Sequence, residues 1–206
     1  SYTTPKYLNG WMSTTVGITY NASPGGRYSL SYDDAKDFNG DGSRGTTLLY
    51  IPTDKELEDM NFVDNFDKQG NLIMSKEESR EAFRQWILND DYAKNHRGQF
   101  AERNSNLTKW EHEINLHVAQ DIFYLKERGS KIQVTFDVIN FANMLNKKWG
   151  ANYYLPYNLT PVTVSGSTNA DGILVPEYTF KDQSNVLTKN DISSRWHCQV
   201  GVRLTF

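Results

Sequence analysis

The chain has 206 residues, a formal net charge of −3 and 38% hydrophobic residues. This negative net charge gives no sign of a basic surface for nucleic acid, so nucleic acid is excluded as a partner. No apolar run approaches the roughly 18–20 residues that a transmembrane helix needs, which excludes a helical membrane protein. Membrane β-strands are not excluded, because the alternation of polar and apolar side chains keeps their average hydropathy low.

The first predicted element is a strand over residues 7–20, in which apolar and polar side chains alternate. Alternation with a period of two gives a strand one apolar and one polar face. The same pattern returns over residues 110–124, 131–140 and 193–206, and each segment is close to the 9–11 residues of a tilted membrane strand. The four segments predict an all-β fold. Their pattern alone fits both a membrane barrel and the half-buried sheet of a soluble protein.

The first long connector, residues 21–109, contains three features. Asp37, Asn39 and Asp41 follow the spacing of the first half of an EF-hand loop, but position twelve is Leu48 and no helix pattern flanks the loop. An EF-hand is therefore ruled out, and a calcium ion on these three side chains or an ion-free turn remain alternatives. Residues 46–52 predict a short apolar strand or a buried tether. A capping box at 75–78 predicts a helix to about residue 92, whose apolar stripe packs within the connector.

Residues 27–32 also alternate, and we expect them to extend the first strand beyond the membrane rather than to form a fifth crossing. In the second long connector, residues 141–192, two strands around a polar turn at 165–172 predict a β-hairpin. Only a short charged turn, 125–130, separates the second and third strands. Short turns at one end and long loops at the other are typical of outer-membrane barrels, which places residues 21–109 and 141–192 outside the cell.

The polar faces of the strands carry charged and amide side chains that suit a water-filled lumen. The predicted lumen-facing residues are Glu111, Glu113, Asn115, His117, Asp121, Gln133, Thr135, Asp137, Arg195, His197, Gln199 and Arg203. Their carboxylates are expected to be solvated or salt-bridged. No catalytic motif occurs, so we expect no enzymatic activity. The single cysteine, Cys198, permits no intrachain disulfide and is expected to be a small buried hydrophobe.

Six motifs occur in order along nearly the whole chain. They are DFNGDG (37–42), LLYIP (48–52), HRGQFAERN (96–104), NLHVAQD (115–121), FDVINFANMLNKKWG (136–150) and SRWHCQVGVRLTF (194–206). Together they resemble the C-terminal end of Bacteroidetes-type TonB-dependent outer-membrane receptors of the SusC-like or Oar-like kind. The resemblance implies that Gln199, Gly201, Leu204 and Phe206 form the signal for barrel assembly.

The resemblance implies an antiparallel transmembrane barrel of roughly 22 strands, of which residues 1–206 supply the last four and their long extracellular loops, one with a short helix. It implies energy-coupled import of a bulky ligand, such as a glycan or a peptide, across the outer membrane of a Gram-negative bacterium. The implied partners are the remaining barrel and plug, TonB through an N-terminal region, the barrel-assembly machinery, a surface lipoprotein, and lipid with lipopolysaccharide.

The chain is far shorter than such a receptor, so we expect it to be a fragment or one piece of a split barrel. Two other functions remain open. One is a soluble or surface-exposed, calcium-dependent β-rich binding module, and the other is an outer-membrane barrel with a structural or adhesive role.

Overall fold

The computed structural model describes residues 1–34, 42–125, 130–168, 170–171 and 173–206. Strands make up 45% of it and helices are few, which confirms the predicted all-β class. Within these ranges, no helix is both long and apolar enough to cross a membrane. The chain divides into two compact units. We call Ser1–Gly25, Lys109–Tyr154 and Lys189–Phe206 the sheet unit, and Gly26–Thr108 with Leu155–Thr188 the connector unit.

The described elements follow one another along the chain with short links between most of them. The strands are β1 Tyr2–Thr3, β2 Met12–Ser23, β3 Arg27–Tyr28, β4 Leu30–Asp34, β5 Tyr50–Ile51, β6 Asn65–Phe66, β7 Leu72–Met74, β8 Gln99–Phe100, β9 Asn106–Leu107, β10 Glu111–Leu125, β11 Ser130–Ile139, β12 Tyr153–Tyr154, β13 Leu159–Thr168, β14 Leu174–Phe180, β15 Thr188–Lys189 and β16 His197–Thr205. The helices are α1 Asp54–Asp59, α2 Lys76–Asn89, α3 Phe141–Leu145 and α4 Asp191–Ser194, with a 3-10 turn at Ala93–Asn95.

The sheet unit is built on one sheet of five antiparallel strands in the order β1-β2-β10-β11-β16. Four of these strands fall on the four alternating segments of the sequence. The register places the end of β2, the start of β10, the end of β11 and the start of β16 at the same end of the sheet, along the strand direction. We call this the connector end, because both long connectors leave the sheet there. The other end of the strands is the turn end.

The first strand begins later than residue 7, so that prediction was wrong at its start. Tyr7 and Met12 exchange two backbone hydrogen bonds, of 2.9 and 3.2 Å, which close a hairpin between β1 and β2. Leu8, Asn9 and Gly10 all have positive φ, at 50°, 57° and 83°. An Asn-Gly pair favours this left-handed turn, and the turn overrides the alternation.

The last strand also begins later than predicted. It starts at His197, and residues 191–194 form the short helix α4 instead. Asn190 caps this helix, because its side chain accepts a hydrogen bond from the Ser193 amide at 3.2 Å. Arg195 is the C-cap residue of α4, so its assignment to the polar row of the last strand was wrong.

The connector unit has its own hydrophobic core, so the two connectors form far more structure than loops. Its fully buried side chains come from both connectors: Leu30, Leu49, Ile51, Leu57, Phe83, Ile87, Ala93 and Val162. A three-stranded sheet, β14-β13-β4, crosses the unit. Burying these side chains gives the unit the main stabilising term of a folded domain.

Residues 27–32 do not extend the first strand. β3 pairs with β9, and β4 pairs in parallel with β13, so both belong to the connector unit. The alternation predicted a strand correctly but could not identify its partner. Those residues therefore add no strand to the five-stranded sheet, and the extension predicted for them was wrong.

Helix α2 confirms the predicted capping box. Ser75 Oγ accepts from the Glu78 amide, and the Glu78 carboxylate accepts from the Ser75 amide at 2.9 Å. Its buried Phe83 and Ile87 join the same core as Ile51 of the predicted apolar segment. A second capping box, Thr53 with Glu56, opens α1 in the same way. The predicted hairpin is β13 with β14, and residues 169 and 172 of its turn lie outside the described residues.

Candidate functional site

The five-stranded sheet of the sheet unit is the candidate site, and its polar face carries most of the predicted residues. Register and alternation place eleven of the twelve on this one face, which are all of the set except Arg195. They are Glu111, Glu113, Asn115, His117, Asp121, Gln133, Thr135, Asp137, His197, Gln199 and Arg203. That these side chains line a lumen stays a prediction, because the sheet does not close into a barrel within the described residues.

Cross-strand pairs hold the polar side chains of this face. The Asp121 carboxylate accepts hydrogen bonds from Lys131 Nζ at 2.7 Å and from Gln133 Nε2 at 2.8 Å. His117 Nδ1 lies 2.5 Å from Oδ1 of Asp137, its direct partner on β11. Hydrogen-bonded polar pairs across a ladder, directly opposite or diagonal, stabilise the pairing of strands. These groups therefore brace β10 against β11.

On the opposite face of the sheet, the apolar side chains of the outer strands are exposed, whereas Val138 on β11 is buried. On β16 the side chains of Val200, Val202 and Leu204 are 66%, 67% and 63% accessible, and on β2 Ile18 is 68% accessible. Cys198 is exposed in the same row, so the prediction of a buried cysteine was wrong. It failed because alternation identifies a shared face but not what covers it. A contiguous apolar surface of this kind marks a site of contact with lipid or another protein.

The predicted assembly signal divides between the two faces of β16. Gln199 and Gly201 belong to the polar face, whereas Leu204 lies on the apolar face. Phe206 follows the strand and is fully exposed. The absence of a side chain at position 201 has a local cause, because a Cβ there would lie 2.6 Å from Thr135 Oγ1 on the neighbouring strand. The small residue therefore lets β16 pair closely with β11.

Both outer strands of the sheet have open edges. Among the described residues, β16 pairs only with β11, and the segment from β1 to Tyr7 covers the second side of β2 only from Met12 to Val16. Unpaired strand edges present free amide and carbonyl groups and normally bind another strand. The sheet therefore has room for a further strand on each side.

A compact turn follows β11 at the connector end, and it explains the motif at residues 137–150. Asn140 is 2% exposed and has a left-handed φ of 54°. Its Nδ2 donates to the carbonyls of Gly150 at 2.8 Å and Ser194 at 2.9 Å. Asn143 Nδ2 donates to the Trp149 carbonyl at 2.9 Å. The two buried amides thus fix the path of the chain from β11 to Trp149.

This turn forms one wall of a pocket at the connector end of the apolar face. The pocket has a volume of about 490 Å³, and its lining includes Lys109, Trp110, Ile114, Lys148 and Trp149. Sequence reasoning missed these residues as a site. The signal was present, since a lysine precedes a tryptophan at both 109–110 and 148–149.

The connector unit has a pocket of its own, of about 420 Å³. An ion pair between Lys181 Nζ and Asp33 Oδ2, 2.5 Å apart, lies in its lining together with Arg44 and Tyr157. Tyr157 is 86% exposed, which is unusual for so large a ring. Burial raises the pKa of Tyr32, which also lines this pocket, well above its usual value. A pocket lined by an exposed aromatic ring and charged side chains suits a polar ligand of moderate size.

The predicted calcium ligands Asp37, Asn39 and Asp41 lie outside the described residues. Across the described part of the chain, no three His, Cys, Asp or Glu side chains come together in a way that could hold a metal ion. Residues 126–129 of the predicted short turn are also outside it, although Leu125 and Ser130 on either side are paired.

Compared with known proteins, the chain matches no family model, no curated protein and no solved structure. Its resemblance to TonB-dependent receptors therefore rests on its own residues and stays a prediction.

Proposed function

We propose that this chain supplies the closing strands and ligand-facing segments of an outer-membrane, TonB-dependent importer of a bulky ligand such as a glycan or peptide. In this proposal the five-stranded sheet is part of a transmembrane barrel. Its apolar face contacts lipid, and its polar face lines the lumen beside the plug.

The exposed apolar face is the observation that carries the proposal. Burying an aliphatic side chain of this size is worth about 1.5–3 kcal/mol, and water around it forfeits that gain. Val200, Val202 and Leu204 all remain about two-thirds accessible on one strand. A lipid environment supplies the missing apolar contact. A soluble calcium-dependent module would instead cover this face with its own core, so the exposure argues against that alternative.

The dimensions of the last strand support a membrane crossing. From Trp196 to Phe206 the chain advances ten residues, or roughly 33 Å at the rise of an antiparallel strand. A tilt of about 40° reduces this to roughly 25 Å, the height of the apolar band of a barrel. Trp196 and Phe206 are 45% and 100% exposed, and in the proposal each lies at one membrane interface.

The open edges support a larger barrel. β16 and β2 would pair with strands from the remainder of the receptor, which would also carry the plug and the segment that contacts TonB. The import activity and the lipoprotein and assembly partners come from the resemblance alone. The pocket with Arg44, Tyr157 and Lys181 favours ligand contact over a purely adhesive barrel.

Detergent dependence tests the membrane part of this proposal. We expect the chain to be monodisperse only in detergent or lipid, measured by light scattering after dilution into buffer with and without micelles. A monodisperse monomer in plain buffer would contradict it.

Import is tested in cells that make the complete receptor, supplied with a panel of oligosaccharides and peptides. Uptake of one class should require TonB, and Tyr157→Ala should reduce it at unchanged surface level. Phe66→Ala is the matched control, since Phe66 is 55% exposed and does not line the pocket. Uptake that continues without TonB would contradict energy coupling.

A further inference from the structure

The pocket at the connector end of the sheet joins an apolar floor to two cationic groups. Ile114 belongs to the apolar face of β10 by alternation, Trp110 directly precedes that strand, and Trp149 lines the pocket from the turn after β11. Both tryptophans are exposed, at 58% and 55%. The pocket is therefore continuous with the apolar face rather than a separate cavity.

The walls of this pocket are fixed in place by hydrogen bonds. Asn143 holds the Trp149 carbonyl at 2.9 Å, and the Trp149 amide donates to the Asn146 carbonyl at 2.9 Å. On the β10 side, the His112 Nδ1 lies 2.8 Å from the Tyr20 hydroxyl, and the two rings are parallel to within 4°. The backbone at Trp149 and the ring of His112 are thus held in place, which lowers the entropic cost of binding a ligand there.

The charge in this pocket has one sign. Lys109 and Lys148 line it, and no Asp or Glu does. Neither ammonium group forms an ion pair with any described residue. The carboxylates of Glu111 and Glu113 are on the opposite, polar face of β10. The two lysines are therefore available to an anion from outside the chain.

We propose that this pocket binds a lipid with an anionic, phosphate-bearing head group. The phosphate lies between Lys109 and Lys148, and the first part of an acyl chain packs on Trp110, Ile114 and Trp149. Tryptophan beside lysine is the pairing found where an apolar membrane core meets charged head groups. The inference rests on the proposed membrane location of the sheet, and it adds a specific lipid to it.

The test is competition between two lipids with the same acyl chains, one with an anionic head group and the other with a zwitterionic one. The full chain in neutral detergent is titrated with equimolar dioleoylphosphatidylglycerol and dioleoylphosphatidylcholine, and bound lipid is counted by native mass spectrometry. We expect phosphatidylglycerol to be preferred about 25-fold, since each of the two lysines near a lipid phosphate contributes roughly a fivefold preference. Lys109→Gln with Lys148→Gln should reduce the preference to within twofold of unity.

A matched control changes the same charge elsewhere. Lys55→Gln with Lys68→Gln also removes two exposed lysines, neither of which lines this pocket, and should keep the preference. Inorganic phosphate at 10 mM separates the lipid from a free anion. Retained phosphatidylglycerol supports the lipid site, whereas its complete displacement would assign the pocket to free phosphate and overturn the proposal.

Two further outcomes separate this inference from the proposed function. Equal binding of both lipids by the wild-type chain, or an unchanged preference in the pocket variant, would overturn the anionic-lipid site while leaving the membrane sheet intact. A chain that binds no lipid and needs no detergent would overturn both.

Discussion

Replacing Gly150 by alanine tests the turn that runs from β11 to Trp149 and forms one wall of the pocket of Lys109 and Lys148. Gly150 has a φ of 57°, a left-handed conformation that costs an alanine about 1 kcal/mol or more. A Cβ there would lie 1.9 Å from Oδ1 of Asn140, so the buried Asn140 amide must move. Moving it breaks the hydrogen bonds to the Gly150 and Ser194 carbonyls, at about 1–3 kcal/mol for an unsatisfied buried group.

These terms add to a loss of about 2–4 kcal/mol in the free energy of unfolding for Gly150→Ala. Urea unfolding followed by Trp fluorescence and by circular dichroism measures it. Gly17→Ala is the matched control in the same unit, because its Cβ would meet only ordinary contacts at 3.5 and 3.6 Å. It should change stability by less than about 0.5 kcal/mol.

A double-mutant cycle separates the clash from the backbone strain. In an Asn140→Gly background the obstructing oxygen is absent, so Gly150→Ala should cost only about 1 kcal/mol of strain. The reasoning is refuted if Gly150→Ala is as mild as Gly17→Ala, or if its cost is the same in both backgrounds.

Three further changes probe other parts of the fold. Gly201→Ala brings a Cβ to 2.6 Å from Thr135 Oγ1 and should cost about 1–3 kcal/mol in urea unfolding, with a smaller cost when Thr135 is also alanine. Ser75→Ala removes the cap that Glu78 completes and should destabilise the connector unit by about 1 kcal/mol, with no loss contradicting the capping role. Burial raises the pKa of Tyr32, so the unfolded chain ionises first, and stability should be full below pH about 10 and fall above it. Tyr32→Phe should flatten that decline in urea midpoints, and identical slopes would contradict the assignment.

The strands of the sheet unit could be predicted because their signal is local. Alternation depends on which residues are neighbours in sequence, and it located β10 and β11 to within about one residue of their observed bounds. The same holds for the capping box of α2. The errors at the starts of β2 and β16 arose where a short-range preference, Asn9-Gly10 or the Asn190 cap, overrode the alternation.

Partners distant in sequence could not be predicted in this way. Residues 27–32 pair with β9 and β13, which lie about 80 and 130 residues further along the chain. Nothing local specifies those pairings, and the core of the connector unit follows from them. The pocket of Lys109 and Lys148 was missed for the same reason, since its two walls are 39 residues apart in sequence.

The central claim is that the apolar face of the sheet meets lipid and its polar face does not. A nitroxide scan of β16 in lipid vesicles tests it, with one cysteine at a time in a Cys198→Ser background and Cys198 itself as the native site. Collision rates with oxygen, which concentrates in lipid, and with a water-soluble nickel complex are compared at each position from 198 to 204.

If the apolar face meets lipid, collision rates along β16 alternate with a period of two. Labels at 198, 200, 202 and 204 should collide mainly with oxygen, and labels at 199, 201 and 203 mainly with the nickel complex. Nickel accessibility at all seven positions, or low accessibility to both reagents at the even positions, would contradict a lipid-facing sheet.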